Sequence, residues 1–255
     1  PDDAFRKIAF ANIQLGNFEQ ALTYLNNIKM PDHRAYFYLG VVNDSLKKYS
    51  EAGKYYQKAV KSVYGLLYTD PIYQQYFYGL AESCRKANEN DKALDYYNNA
   101  FEMDKEDKVP PKNQQILFGR ARTYFQKNEY AKSIEDLNLA IALNEKFKEA
   151  FNQRAEIYQK TGQYQNAIYD YTKVINIDSL FLPAYLGRAT CQIEIGKYSE
   201  AINDVNIGLE KFPKSEQKKL DYEYSPAGVM IYLGLKDIDL RKYGFGSFNI
   251  WHLED

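Results

Sequence analysis

Nucleophilic or metal-bound chemistry needs its groups close together, and the residues that could supply it lie far apart in this sequence. The two histidines are His33 and His252, and the two cysteines are Cys84 and Cys191. They form no His-x-x-x-His or Cys-x-x-Cys ligand spacing and no disulfide framework, and no glycine-rich phosphate loop occurs. Both cysteines read as packing residues on helices. The run Asp104-Lys105-Glu106-Asp107-Lys108 alternates in sign and reads as a solvated turn, while Lys214, Lys218 and Lys219 are balanced by Glu216, Asp221 and Glu223. The expectation is a chain with no catalytic residue, no metal site and no cofactor. The chemistry on offer is that of binding, through aromatic rings and arginines, the residue types that dominate protein interfaces.

Charge narrows the partner. With 33 basic and 34 acidic residues the formal net charge is −1, which lacks the basic footprint needed to neutralise phosphates, so no nucleic acid partner is expected. No apolar run approaches the roughly 18 residues of a membrane helix. The N-terminus, Pro1-Asp2-Asp3, has neither the basic nor the apolar region of a signal peptide. A chain that starts without Met leaves the compartment open: cytoplasmic if it is complete, extracytoplasmic if a signal peptide has been removed.

The elements that must position the binding residues show themselves as a repeat. Small residues recur at Ala21, Ala52, Ala93, Ser133, Ala167, Ala201 and Gly246, and twelve residues before each lie Ala9, Gly40, Ala81, Ala121, Ala155, Ala189 and Gly234. In the best-preserved stretch the interval is 34 residues, as between Ala167 and Ala201. Two small side chains at constant separation imply two helices whose backbones approach closely. With the later small residue set at position 20 of each unit, positions 4, 8 and 11 make an i, i+4, i+7 core stripe on a first helix. Position 17 (Phe18, Tyr49, Asn90, Tyr130, Tyr164, Tyr198, Tyr243) and position 24 (Leu25, Tyr56, Tyr97, Leu137, Tyr171, Val205, Ile250) belong to a second. Position 15 between them carries Gly16, Gly162 and Gly196, with Asn88 and Asn128 in two further units, residues suited to a left-handed helix end.

This pattern resembles the tetratricopeptide repeat. Tyr36, Leu39-Gly40, Tyr49, Ala52, Tyr56 and Ala59 carry the signature in the second unit, and Phe151, Ala155, Tyr158, Gly162, Tyr164, Ala167 and Tyr171 in the fifth; the closing proline is present only as Pro213. The resemblance implies an all-α fold, a right-handed superhelical solenoid of stacked antiparallel helix hairpins running as one array over 1–255. The expected units are 2–31, 33–66, 70–107, 112–146, 148–181, 182–213 and a degenerate seventh at 225–255. Extra residues fall at Lys61 to Asp70, at Asp104 to Lys112 and at 214–224, and read as loops. Such helices are marginal alone, so their stability must come from stacking on the next unit.

In this family the first helix lines a concave groove, and the stripe at positions 5, 9 and 12 is the part left over from core packing. Its aromatic and basic members mark the candidate peptide or protein-binding residues: Phe10, Phe37, Val41, Tyr78, Arg85, Phe118, Arg122 and Phe125. The fifth unit's stripe is polar throughout (Asn152, Glu156, Gln159). The Lys and Asn set with which some relatives clamp the carboxylates of an acidic C-terminal tail is missing, as are the 35-residue period and basic face of a pentatricopeptide-like RNA reader. Trp251 stands at position 25, where the other units have Asn26, Gln57, Asn98, Asn138, Thr172 and Asn206, a column read as solvated, and it is therefore a candidate end-surface contact for a chain continuation, a fold-back or a partner. The function expected is a non-catalytic protein-interaction scaffold or adaptor that holds a peptide or protein segment; the alternative is a regulatory or sensory module of a longer multidomain protein.

Positions 7 and 23 change together. Ile8, Leu39 and Leu80 accompany Tyr24, Tyr55 and Tyr96, whereas Arg120, Arg154 and Arg188 accompany Asp136, Asp170 and Asp204, which predicts structural ion pairs within or between hairpins. Removing one member of a buried pair typically costs about 3–5 kcal/mol, while replacing both by apolar residues can be neutral. Arg154→Leu alone is therefore expected to lower the chemical-denaturation midpoint more than Arg154→Leu combined with Asp170→Tyr. Equal losses in the two variants would remove the inferred contact.

Overall fold

Small residues where two helices touch are the seed of the architecture, and they are fully buried. Ala9, Ala21, Ala52, Ala81, Ala93, Ala121, Ala155, Ala167 and Ala189 are 0% exposed. Where Ser133 replaces alanine at position 20, its hydroxyl donates to the carbonyl of Ala121, 2.7 Å away across the hairpin. The computed structural model describes residues 1–63, 71–102 and 113–211. Among the described residues all regular structure is helical: α1 (Asp2–Gln14), α2 (Phe18–Asn26), α3 (His33–Ser45), α4 (Tyr49–Ser62), α5 (Pro71–Lys86), α6 (Asn90–Glu102), α7 (Gln114–Gln126), α8 (Tyr130–Leu143), α9 (Lys148–Lys160), α10 (Tyr164–Ile177), α11 (Leu182–Glu194) and α12 (Tyr198–Lys211). The expected seventh unit, the insertion 214–224, Trp251 and His252 lie outside the described residues, as do 64–70 and 103–112 in the two earlier loops.

The helices pair as six antiparallel hairpins in two compact units, Pro1–Glu145 with α1 to α8 and Lys146–Asp255 with α9 to α12. Within the first unit each hairpin packs on its neighbour through α2 on α3, α4 on α5 and α6 on α7, and in the second α10 packs on α11. Every first helix ends in the same way. The residue at position 15 takes a left-handed conformation, with φ of 74–76° at Gly16, Gly162 and Gly196 and 60–61° at Lys47, Asn88 and Asn128. The next amide then donates back to the carbonyl five residues earlier, as in Asn17 to Asn12, Glu89 to Cys84 and Gln163 to Tyr158, each at 2.8 Å. Lys47 was no obvious candidate for such a turn; its Cβ costs roughly 1–2 kcal/mol in this conformation, which the stacking around it outweighs.

A second column of small residues joins one hairpin to the next. A Cβ on Gly79 would stand 2.8 Å from the ring of Tyr56, one on Gly119 2.5 Å from Tyr97, and one on Gly187 2.3 Å from Tyr171. In each case position 24 of one hairpin lays its ring on the glycine at position 6 of the following first helix. The register is size-matched, since Leu25 at position 24 is followed by Tyr38 at position 6. Tyr56 also fills the space over Gly40 of its own hairpin, at 2.6 Å.

Ion pairs take over at positions 7 and 23 in the later hairpins. Arg120 donates to both carboxylate oxygens of Asp136 at 2.8 and 2.7 Å, Arg154 to Asp170 at 2.7 and 2.8 Å, and Arg188 to Asp204 at 2.7 and 2.6 Å. All three span one hairpin. The remaining guanidinium nitrogen of Arg120 donates to Asn98, and that of Arg188 to Thr172, both at 2.9 Å and both on the preceding hairpin. In the apolar half Gln57 reaches the hydroxyl of Tyr96 at 3.2 Å. Position 25, read from the sequence as a solvated column, is thus a hydrogen-bonding link between hairpins. Gly187→Ala should cost about 1–3 kcal/mol through overpacking against Tyr171, despite the gain in helix propensity. Adding Tyr171→Leu is expected to recover most of that loss in a thermal-unfolding double-mutant cycle.

Candidate binding site

Positions 5, 9 and 12 of α1, α3, α5 and α7 form a stripe rich in rings. On α1 Phe10 is 45% exposed and lies 5.6 Å from Tyr38, while Arg6 is engaged by Asp3 and Asp32. On α3 Phe37 is half-buried, stacked on Tyr76 at 4.8 Å and flanked by Tyr56 at 5.6 Å; Val41 packs beside it on the same core. Asp44 ends this stretch, its carboxylate paired with Lys86 of α5. On α7 the guanidinium of Arg122 lies over the ring of Phe118, 5.6 Å from its centre, and Phe125 approaches Tyr130 at 5.9 Å. Phe118, Arg122 and Phe125 are all half-buried.

Arg85 departs from the expectation of a cation open to a ligand. It is 4% exposed, with its guanidinium on Glu82 one turn earlier at 2.7 and 3.3 Å. Glu82 accepts a further hydrogen bond from the hydroxyl of Tyr97, the ring that sits on Gly119. Burial works to raise the Glu82 carboxyl, but the hydrogen bond and charge of Arg85, the Tyr97 hydroxyl and the charge of Arg122 together hold it below its ordinary 4.5. Tyr78 covers this cluster 6.2 Å from Tyr97, and burial, with Glu82 nearby, pushes its phenol up to about 12. The α5 segment thus supplies a buried, satisfied network beneath the rings. Glu82 stands at position 9 of the stripe, and its three-residue spacing from Arg85 is the signal in the sequence for this pair.

On α9 the stripe is polar and internally bonded. Asn152 and Gln153 donate to Glu156 at 2.7 and 3.1 Å, and Gln159 accepts from the hydroxyl of Tyr171 at 2.9 Å. The pairs Arg120–Asp136, Arg154–Asp170 and Arg188–Asp204 lie inside the hairpins and present no charge to a ligand: the aspartates are 1–6% exposed. Burial pushes the Asp136 carboxyl up despite its arginine, the mark of a pair that specifies register more than it stabilises. Cys84 and Cys191 are buried, and burial pushes their thiols up to about 11 and about 12, so neither is a thiolate near neutral pH. His33 shares a 2.8 Å hydrogen bond with Tyr76. Among the described residues no group of His, Cys, Asp or Glu is arranged to hold a metal, and no helix is long and apolar enough to cross a membrane.

Family models described as tetratricopeptide repeat match residues 11–63 and 78–146, and residues 148–179. Among curated proteins no sequence matches the chain. Solved structures do resemble it. PilW, described as a widely conserved type IV pilus biogenesis factor, has a TM-score of 0.70 at 14% identity, covering 91% of this chain and 98% of its own. PilF of Pseudomonas aeruginosa has 0.66 at 16% identity, with 88% and 91% covered, and MamA 0.59 at 20%, with 76% and 95% covered. At such identities the likeness is one of fold. The buried network yields a pH dependence: because folding depresses the Glu82 carboxyl, its contribution is present above its ordinary pKa of 4.5 and is lost as pH falls through the lower folded value. Glu82→Gln should thus be less stable than the parent at pH 7, and the gap in melting temperature should narrow below pH 4.5.

Proposed function

The chain belongs to the tetratricopeptide repeat family, and from that premise we propose that its first helices receive an extended segment of a partner protein, apolar in its side chains and carrying one or two carboxylates. The family fold is that of a protein-interaction scaffold and is generally non-catalytic. The proposed contact residues are Phe10, Phe37, Val41, Tyr78, Phe118 and Phe125, with Arg122 as the cation. The observation that carries this reading is the recurrence of rings at this stripe on α1, α3, α5 and α7, with Phe10 exposed and Arg122 over Phe118. Rings held by their neighbours lose little freedom on binding, which favours them as anchors.

Arg85 acts in this reading as a positioning residue. Its charge is committed to Glu82, and that pair holds Tyr97 and Tyr78 in place from below. The carboxylate contact then falls to Arg122, whose guanidinium lies over the Phe118 ring and has planar donors suited to a carboxylate. Expected occupants are peptides with an apolar residue two to four positions from an aspartate or glutamate.

Peptides selected by display against the parent chain should bind it with measurable anisotropy changes. Phe118→Ala and Arg122→Glu are each expected to weaken that binding at least about tenfold, close to 1.4 kcal/mol. Arg122→Glu should weaken acidic peptides most, and raised salt should reduce the difference between acidic and neutral ones. Unchanged affinity in both variants would place the ligand elsewhere.

A further inference from the structure

Position 9 of the stripe turns from apolar to charged within the first unit, reading Phe10, Val41, Glu82 and Arg122 on α1, α3, α5 and α7. A carboxylate and a guanidinium thus stand at equivalent places on neighbouring first helices, and α5 packs against α7. Opposite charges so placed attract each other. Against burial, which works to raise both groups, the charge of Arg122 works to lower the Glu82 carboxyl and the Tyr78 phenol, so the cation is within electrostatic reach of each. Glu82 nevertheless takes Arg85 of its own helix as its ion-pair partner. Its side chain is 15% exposed, so its charge, unless cancelled, would be felt on this face.

Two groups hold Glu82 in place. Arg85 donates through Nη2 to one carboxylate oxygen at 2.7 Å and through Nε to the other at 3.3 Å, and the Tyr97 hydroxyl donates to that second oxygen. Both groups are themselves fixed, since Arg85 is buried and Tyr97 is fully buried with its ring on Gly119. The same places on α9 carry a different arrangement. Glu156 accepts from Asn152 and Gln153, Gln159 stands where α5 has Arg85, and Tyr171 gives its hydroxyl to that glutamine. On the first helix that follows α9, position 9 is Thr190, so there is no cation at that place to be kept from a neighbouring carboxylate. The carboxylate locked between an arginine and a tyrosine is built on α5, directly before the first helix that carries Arg122.

We propose that Arg85 and Tyr97 set the selectivity of the ring row for acidic partner segments, by holding the Glu82 carboxylate so that it neither captures Arg122 nor repels a ligand carboxylate. This rests on the ligand reading given above and adds to it the residues that decide which charge is accepted. Both act as positioning residues. Arg85 cancels the charge of Glu82 through two hydrogen bonds, and Tyr97 pins that pair from α6, where its ring cannot shift. Asp44, the stripe carboxylate on α3, is paired with Lys86. Of the stripe's charges on α3, α5 and α7, that of Arg122 is therefore the one left over among the described residues.

The probe is a display-selected peptide with one aspartate, paired with the same peptide carrying asparagine in its place, and the readout is the ratio of their two affinities for the full chain. Arg85→Gln, which installs the residue found at this place on α9, should lower the preference for aspartate at least about tenfold, and Tyr97→Phe, which keeps the ring on Gly119, at least about threefold. Adding Glu82→Gln to Arg85→Gln should restore the ratio to within about twofold of the parent, because the competing carboxylate is gone. If Arg85→Gln does not fold, Tyr97→Phe and Glu82→Gln carry the test, the latter raising the preference for aspartate. A merely structural role would weaken both peptides alike, and the second substitution would restore nothing; that result overturns the proposal. An unchanged ratio in Arg85→Gln and Tyr97→Phe, with Arg122→Glu still abolishing the preference, overturns it while leaving the ligand site intact. If Phe118→Ala and Arg122→Glu are both without effect, the ligand reading falls and the selectivity lock falls with it.

Discussion

A tyrosine ring laid on a glycine sets the distance between successive hairpins, and the candidate binding face is built outward from that contact. Tyr56 on Gly79, Tyr97 on Gly119 and Tyr171 on Gly187 leave no room for a methyl group, so each second helix is seated at one depth against the next first helix. Because the ring is fixed, so is the place of its hydroxyl. Tyr97 presents it to Glu82, at position 9, and Tyr171 to Gln159, at position 12. A packing constraint in the core thereby decides which polar groups on the first helices are engaged. Around Tyr97 it commits Glu82 and Arg85 to each other, while the guanidinium of Arg122 lies over Phe118.

The two halves of the array solve one packing problem with different chemistry. Leu39 with Tyr55 closes its hairpin by apolar contact, whereas Arg120 with Asp136 closes the same place with two parallel hydrogen bonds. The second solution carries a desolvation cost, visible in the raised Asp136 carboxyl. It adds geometric precision, because a bidentate pair tolerates little sliding of one helix along the other. It also leaves a third guanidinium nitrogen, which Arg120 gives to Asn98 and Arg188 to Thr172. An apolar pair cannot make that link; in the apolar half it is made instead between Gln57 and Tyr96.

Much of this was legible in the sequence because the repeated units supply their own comparison. The small residues, the hairpin limits and the left-handed turns at Gly16, Asn88 and Asn128 follow from residue type at constant spacing. What escaped notice were properties of pairs belonging to different hairpins. The Tyr–Gly match links position 24 to position 6 of the following unit, and the polar column at position 25 looks solvated until the neighbouring arginine is placed beside it. Burial of Arg85 escaped for a related reason. Its partner Glu82 stands three residues away, and an exposed pair of that spacing is common on any helix; only the Tyr97 hydroxyl arriving from α6 makes it an interior network.

A break in a repeating column is an invitation to look for function, yet breaks differ in what they leave behind. Lys47 breaks the glycine and asparagine column, but its turn makes the same hydrogen bonds as the others, so the departure is absorbed as local strain. Gly53 breaks the column of Leu22, Leu94, Ile134, Ile168 and Ile202 at position 21, and Leu80 and Ser83 stand at ordinary contact distance from the place of its missing Cβ. Arg122 breaks the stripe on the first helices by placing a cation among rings, 5.6 Å from the centre of Phe118. The useful test of a departure from the repeat is therefore whether the surrounding structure has already satisfied it. Lys47 passes that test, whereas the row beside Arg122 is the place proposed for a partner.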